Sequence, residues 1–487
     1  MRRALQQLAL AVSLLHSLGA PAARLPSGEG LPAPGVFFVD PTGLPLALMG
    51  SYSAELISTA ATNINEFKLG LNAAVFAEEW VDRATGGPSV QRWPDIDAWL
   101  DRSDTVGASV LFPLTLPTAM MFANISCCDD LITGAVQRAA RHRSVVGWYL
   151  ADEPDQAVAK GTAMRLAAVK AAFALVKSLD RRPIVACFDS TPPFENPNDV
   201  HNFPAFLPFT DVAAADIYPV SHHLPVQSQV PPGIDLLRNH TTKPIVFVAQ
   251  TFGGREVYTR EPSAQEERIM VYLAWIHGAS GVLFFEHEDA PVYAGPSNQH
   301  LRSPGSTNLW KECTRLAVEG GELAPALLSD RSAAPKISSV QVTVEGGGLA
   351  AAAASSGVHV TALLEQRLGG GVVILIANTN PCPANVTITL STGSIADGPA
   401  PVLFSARNVS VADGVVTDWA PTLGNIDVTK SIDSPRLLGH FLTHIFPGAD
   451  GRNGHQGDSL TTVGTADYST AMESGTHSEA RPEQHPV

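Results

Sequence analysis

From Val36 to about Pro335, short apolar runs alternate with amphipathic stretches roughly 15 to 25 residues long. That rhythm predicts repeated βα units around a parallel sheet. Eight runs can be placed: Leu46 to Tyr52, Ala73 to Phe76, Ala108 to Phe112, Val145 to Leu150, Pro183 to Phe188, Val212 to Ile217, Ile245 to Ala249 and Gly281 to Phe285. Their apolarity is continuous rather than alternating, as befits strands covered on both faces. The expected fold class is therefore α/β, a closed (β/α)8 TIM barrel spanning residues 36–335. Asp180-Arg-Arg-Pro183 and Thr242-Lys-Pro244 read as loops leading from helix to strand. A doubly wound open sheet is the alternative, but no Gly-x-Gly-x-x-Gly follows the first run.

Beyond Pro335 the texture changes to Val- and Thr-rich runs cut by Gly, Pro and Asn: Val340 to Val344, Val358 to Leu364, Val372 to Ala377, Val386 to Leu390 and Val402 to Phe404. These predict a small all-β sandwich over residues 336–447, with Gly369-Gly-Gly371 as a hairpin turn. Residues 448–487 are poor in apolar side chains and read as a disordered tail. At the other end, Arg2 and Arg3 precede an apolar run from Leu8 to Leu18 and the small residues Gly19, Ala20, Ala22 and Ala23. That is the pattern of a signal peptide over residues 1–23. The run is too short for a membrane helix and nothing later is longer, so a secreted, extracellular protein with no membrane span is expected.

Composition narrows the function. Hydrophobic residues make up 45% of the 487 and charged residues only 16%, which suits a large buried core. A net charge of −15 repels phosphate backbones, so no nucleic-acid partner is expected, whereas a neutral carbohydrate fits. Sequons at Asn124, Asn239, Asn385 and Asn408 agree with the secretory route and with N-glycosylation. The five cysteines, Cys127, Cys128, Cys187, Cys313 and Cys382, have no metal-ligand spacing, so no metal or other cofactor is expected. Their odd number leaves a thiol over, and a loop disulfide to Cys127 or Cys128 is the expected bond. Neither composition nor pattern sets an oligomeric state.

In a parallel barrel the reactive side chains gather where the strands end. Residues at or after those ends are Glu55, Glu78, Glu79, Asp152, Glu153, Asp189, Asp216, Tyr218, Gln250, Glu286, His287, Glu288 and Asp289, with Trp80, Trp148 and Tyr149 close by. Aromatic faces pack against sugar rings, and carboxylates bind hydroxyls and supply the acid and base that acetal cleavage requires. Polar rims also occur on barrels of every other function. His277 lies in an apolar helix and reads as a packing residue, and His222 with His223 lacks a third metal ligand.

The most specific stretch is Val145-Val-Gly-Trp-Tyr-Leu-Ala-Asp-Glu-Pro154. It resembles the end of strand four in (β/α)8 glycoside hydrolases, where the Glu is the general acid/base. Asp216-Ile-Tyr-Pro219, Gln250-Thr-Phe-Gly253, Glu266-Glu-Arg268 and His277-Gly-Ala-Ser-Gly-Val282 extend the likeness over roughly residues 36 to 330. The resemblance implies an O-glycosyl hydrolase with Glu153 as general acid, and the strand-end reading adds Glu79, Trp80, Trp148, Asp189, Asp216, Tyr218 and Gln250 as expected substrate contacts. It departs from the retaining pattern at Gln250, where a nucleophilic Glu is usual and where an amide cannot form the glycosyl ester.

Three readings accommodate that departure. Glu286 or Glu288 supplies the second carboxylate of an inverting reaction. Alternatively Asp152 and Glu153 act as in hexosaminidases, where the substrate's own acetamido group attacks. In the third, the rim binds glycans without cleaving them. A structural role, with the β module binding a partner, stands beside all three.

Overall fold

The computed structural model describes residues 38, 46–52, 73–75, 93–155, 162–189, 202–220, 226, 229–254, 258–287, 298–344, 357–365, 371–380, 383–391, 397–403, 408–420 and 442–446. Eight parallel strands close on themselves in sequence order. They are β1 (Met49–Tyr52), β2 (Ala73–Val75), β3 (Ser109–Pro113), β4 (Val145–Asp152), β5 (Ile184–Asp189), β6 (Val212–Ile217), β7 (Ile245–Gln250) and β8 (Ala279–Phe285). The closing seam runs from Met49 opposite Val282 to Tyr52 opposite Phe285. Between them lie α1 (Trp93–Val106), α2 (Thr115–Met120), α3 (Asp129–Ala139), α4 (Thr162–Leu179), α5 (Val230–His240) and α6 (Ala264–His277), and α7 (Thr307–Leu327) follows β8.

Continuous apolar runs suit this arrangement because each strand feeds two cores. Val185 and Cys187 point into the barrel with Val146, Tyr149, Ala214 and Val248. Their neighbours Ile184, Ala186 and Phe188 face the helices. Alternation along each strand therefore fixes which side chains reach the barrel mouth and which are buried under the helical ring.

Local signals set the helix ends. Ser263 caps α6 by accepting from the Glu266 amide at 3.2 Å, while its own amide donates to Glu266 Oε2 at 2.9 Å. The helix stops at Gly278, whose φ of 127° lies where a side chain is strained. Just over one turn into α6, Arg268 meets Glu319 of α7 through a fork of two 2.7 Å hydrogen bonds and also pairs with Glu312.

After β8 the chain builds two antiparallel sheets. One holds β10 (Val358–Glu365), β11 (Gly371–Asn378) and β16 (Leu442–Phe446). The other holds β9 (Ile337–Val344), β12 (Ala384–Leu390), β13 (Gly398–Pro401), β14 (Asn408–Ala412) and β15 (Val415–Ala420). Val372, Ile374 and Ile376 of the first share an apolar cluster with Val386, Ile388 and Val416 of the second. The opposite face of the first sheet, through Leu363, Val373, Leu375 and Ala377, joins the core around the barrel helices.

Three sequence expectations change here. The strand expected at Val402 to Phe404 lies earlier, as β13 at Gly398–Pro401, while Phe404 is outside the described residues. β14 and β15 form an unexpected hairpin over Asp413 and Gly414, with φ values of 52° and 74°. Cys127 and Cys128 are bonded to each other rather than to a distant cysteine, while Cys187 and Cys313 are free and buried. Cys382, most of the Gly369-Gly-Gly371 turn, the 1–23 segment and the 448–487 segment lie outside the described residues. No helix among the described residues is long and apolar enough to cross a membrane.

Candidate active site

The centre of the site is made by a slip in β4. Register against β5 shifts between Tyr149 and Ala151, so Leu150 and Ala151 both face the helical ring. Asp152 is thereby aimed into the mouth, where it receives the Tyr149 hydroxyl at 2.7 Å and the Tyr52 hydroxyl at 3.3 Å. The next residue, Glu153, has a φ of 40°, and its amide donates to the Cys187 carbonyl at 3.0 Å. A left-handed backbone at a non-glycine residue costs about 1–3 kcal/mol and persists where the surroundings impose it. Here it holds a half-buried carboxyl at the strand end.

Two adjoining strands bring more acids. Asp189 of β5 and Asp216 of β6 are register partners. Asp216 points inward and is buried, and a hydrogen bond ties it to Glu153. Asp155 lies just past Glu153 and is also buried. Five carboxyls thus share the ends of β4, β5 and β6.

Crowding and burial move their protons. Asp216 is held well above the ordinary carboxyl range by burial, then by the charge of Glu153 and the hydrogen bond with it. Asp152 is pushed up to about 6, first by lost solvation, then by the charge of Glu153, while its two tyrosine donors pull the other way. Solvent still reaches Asp152 from the mouth, so the lost solvation is that of a recess rather than a sealed core. Asp155 is pushed up to about 7, mainly by burial, with the charges of Asp189 and Glu153 adding to it. Burial also raises the Tyr149, Tyr218 and Cys187 protons well above their usual range, which keeps both phenols as neutral donors.

A folded-state pKa above the unfolded one stabilises the fold only at low pH. The contribution from Asp155 is complete below about 4 and is lost as pH rises through about 7. A shift of this size is worth up to about 4 kcal/mol, at 1.36 kcal/mol per unit. Asp155→Asn is therefore expected to gain stability relative to the wild type as pH rises. Urea unfolding of both proteins between about pH 4 and 8 checks it; parallel curves would contradict it.

Aromatic rings wall the recess. Tyr52 meets Tyr149 edge-on at 5.4 Å and Phe285 at 4.9 Å. Tyr218 stacks on Phe285 at 5.8 Å and touches Phe252 at 5.1 Å and Tyr258 at 6.1 Å.

The structure brings Asp152, Glu153, Asp189, Asp216 and Tyr218 together and corrects two other expectations. Trp148 is no substrate contact, because its place on β4 turns it to the helical ring, where it is fully buried and its indole N–H donates to Asp180 at 3.2 Å. Gln250 is fully buried as well. Its Oε1 accepts from the Val220 amide at 2.8 Å, and its Nε2 donates to the carbonyls of Val220 and Phe252, both at 3.1 Å. The amide splints the loops after β6 and β7, a task requiring donors and an acceptor that a carboxylate does not combine. Gln250→Glu is expected to cost about 1–3 kcal/mol, because the acid must take up a proton and then forfeits one of the two donated bonds. Chemical denaturation near neutral pH measures it, and an unchanged midpoint would contradict it.

Glu286 is fully buried, with its carbonyl accepting from Leu301. Glu79, Trp80 and Glu288, together with Glu55, Glu78, Asp289, His222 and His223, lie outside the described residues. His277 bonds Asp235 and His359, each at 2.9 Å, a packing role between helix and β module. Sequence reasoning overlooked Tyr52, Asp155, Phe252, Tyr258 and Phe285. Tyr52 was legible as the last residue of strand one, and Asp155 as the third acid of Asp-Glu-Pro-Asp.

No known family profile and no curated protein matches the sequence. Among solved structures, a protein described as a glycoside hydrolase is 10% identical, with a TM-score of 0.52 over 84% of this chain and 94% of its own. The β-galactosidase of the psychrophilic Marinomonas ef1 is 14% identical, with a TM-score of 0.46 over 58% of this chain. An exo-β-1,4-mannosidase from Opitutaceae bacterium strain TAV5 is 16% identical, with a TM-score of 0.45 over 60%. The chain spans 61% and 62% of the last two proteins' lengths. At these identities the likeness is one of fold.

Proposed function

We propose that the chain is a secreted glycoside hydrolase that cleaves O-glycosidic bonds, with Glu153 as general acid and carbohydrate as substrate. The observation that carries this reading is the placement of Glu153: an unusual backbone angle presents its carboxyl to an aromatic-walled recess beside Asp152 and Asp216. Its hydrogen-bonded neighbour Asp216 holds a proton to unusually high pH, so the pair has a proton to deliver to a leaving oxygen. Asp152, oriented by two tyrosines, places negative charge where an oxocarbenium-like centre develops. In this reading the barrel of residues 36–335 is the catalytic domain and the two antiparallel sheets of 336–447 form its sandwich module. Any second carboxylate that attacks or activates water comes from the mouth, since Gln250 is committed to backbone.

Exposure of Asn124, Asn239, Asn385 and Asn408 supports N-glycosylation on a secretory route. The test is turnover of a panel of aryl glycosides and polysaccharides by the chain recovered from the medium of eukaryotic cells, with its mass read before and after glycan removal. Equal turnover by wild type and Glu153→Gln removes Glu153 from the mechanism. Glycan binding without any turnover replaces hydrolysis with a binding role, and an intact chain retained in the cells removes secretion.

A further inference from the structure

The acids of the mouth also bear on which sugar enters, an inference that rests on the glycosidase reading. Asp155 and Asp216 are 2% and 5% exposed, and among the described residues neither oxygen of Asp155, nor Oδ1 of Asp216, has a hydrogen-bond partner. The backbone amides of Asp155 and Asp189 favour the Asp155 charge without offering it a well-aligned bond. Ion pairs among the described residues form elsewhere, as at Arg138 with Asp97, Lys177 with Asp211, Arg260 with Glu266 and Arg268 with Glu319. Asp152, Asp155 and Asp216 take part in none of them. Buried acids beside one another, with acceptors to spare and no partner cation among the described residues, are costly to keep unless a ligand answers them.

We propose that the recess selects a glycone bearing a protonated primary amine, an amino sugar, over neutral and acidic sugars. An ammonium group carries a full positive charge and three donors, and so complements acceptor-only carboxylates in number as well as sign. A sugar hydroxyl offers one donor and no charge. A uronic acid adds another carboxylate to those present. The tyrosines at the mouth favour the same ligand, because aromatic faces attract cations as well as sugar rings.

A metal ion is the other cation such acids suggest, and the spacing argues against it. Among the described residues, the group with ligand atoms close enough for one ion is Asp101, Asp104 and His142. That group precedes Val145, at the opposite end of β4 from Asp152. The mouth acids are spread over three strand ends, which suits an organic cation held at several points.

The experiment is calorimetric titration of the full-length protein at about neutral pH with glucosamine, glucose, N-acetylglucosamine and glucuronate, in two buffers of different ionisation enthalpy. Glucosamine is expected to bind about tenfold tighter than glucose or N-acetylglucosamine, with glucuronate weakest, and to release protons as the raised acids ionise against it. The preference is expected to shrink at high salt. Asp155→Asn is expected to reduce the glucosamine advantage while glucose affinity holds, which also shows that the variant is folded. Glucosamine binding no tighter than glucose, undetectable binding of glucosamine, or a glucuronate preference overturns the inference. Turnover of neutral glycosides without amine preference leaves hydrolysis standing and sinks this inference alone. Amine-selective binding without turnover does the reverse.

Discussion

Glu153→Gln is expected to lower kcat/KM by about 10²–10⁴-fold on glycosides with poor leaving groups, the range that general acid catalysis supplies. The amide keeps the size of the side chain and accepts the same backbone angle, so the mouth retains its shape and KM moves little. What it loses is the proton for the departing oxygen. Aryl glycosides whose phenolate leaves without protonation are therefore expected to lose far less, and the ratio between the two substrate classes isolates the acid role. Equal losses on both classes would point to positioning instead. Glu153→Gly is the companion variant. Glycine adopts a φ of 40° at no steric cost, so turnover falls on poor leaving groups while stability holds or rises. A loss of stability in the glycine variant would mean that the carboxyl, and not its neighbours, holds the turn.

The barrel was legible because its strands are buried on both faces and so leave continuous apolar runs. Facing was less legible for the same reason. With no polar alternation to follow, Trp148 in the middle of β4 passes for a rim aromatic, although one step of pleat turns it to the helices. The register slip between Tyr149 and Ala151 is equally silent in sequence, yet it decides that Asp152 reaches the mouth. Gln250 shows how residue type misleads when partners are unknown. Its position is where a nucleophile is usual, and only the backbone groups of Val220 and Phe252 reveal an amide chosen for its donors. The hairpin over Asp413 and Gly414 was in principle readable, since Asp-Gly between Val-rich segments suits a two-residue turn. Asp216 was legible as a rim acid but not as the proton-holding partner of Glu153, because their closeness belongs to the barrel and not to the chain.

The second large effect lies outside the site. Arg268→Ala is expected to destabilise the fold by about 3–5 kcal/mol, the cost of leaving one half of a buried ion pair alone. Arg268 is 4% exposed and Glu319 3% exposed, and the fork between them joins α6 to α7. The Tyr272 hydroxyl adds a 2.7 Å bond to Glu319, and Arg315 donates from one turn earlier in α7 at 3.1 Å. Without Arg268, Glu319 keeps, among the described residues, the half-buried Arg315 as a cation, while Glu312 loses its Arg268 partner. The double variant Arg268→Met with Glu319→Leu removes both charges and fills the space, so much of the loss is expected to return. Denaturant unfolding of the three proteins measures this. A single-variant loss below about 1 kcal/mol would mean that water enters the joint. Because α6 follows the Gln250 loop and α7 follows the Glu286 loop, this pair clamps the helices behind β7 and β8. Its loss is therefore expected to loosen the recess as well as the fold, lowering turnover in proportion to the unfolding it causes.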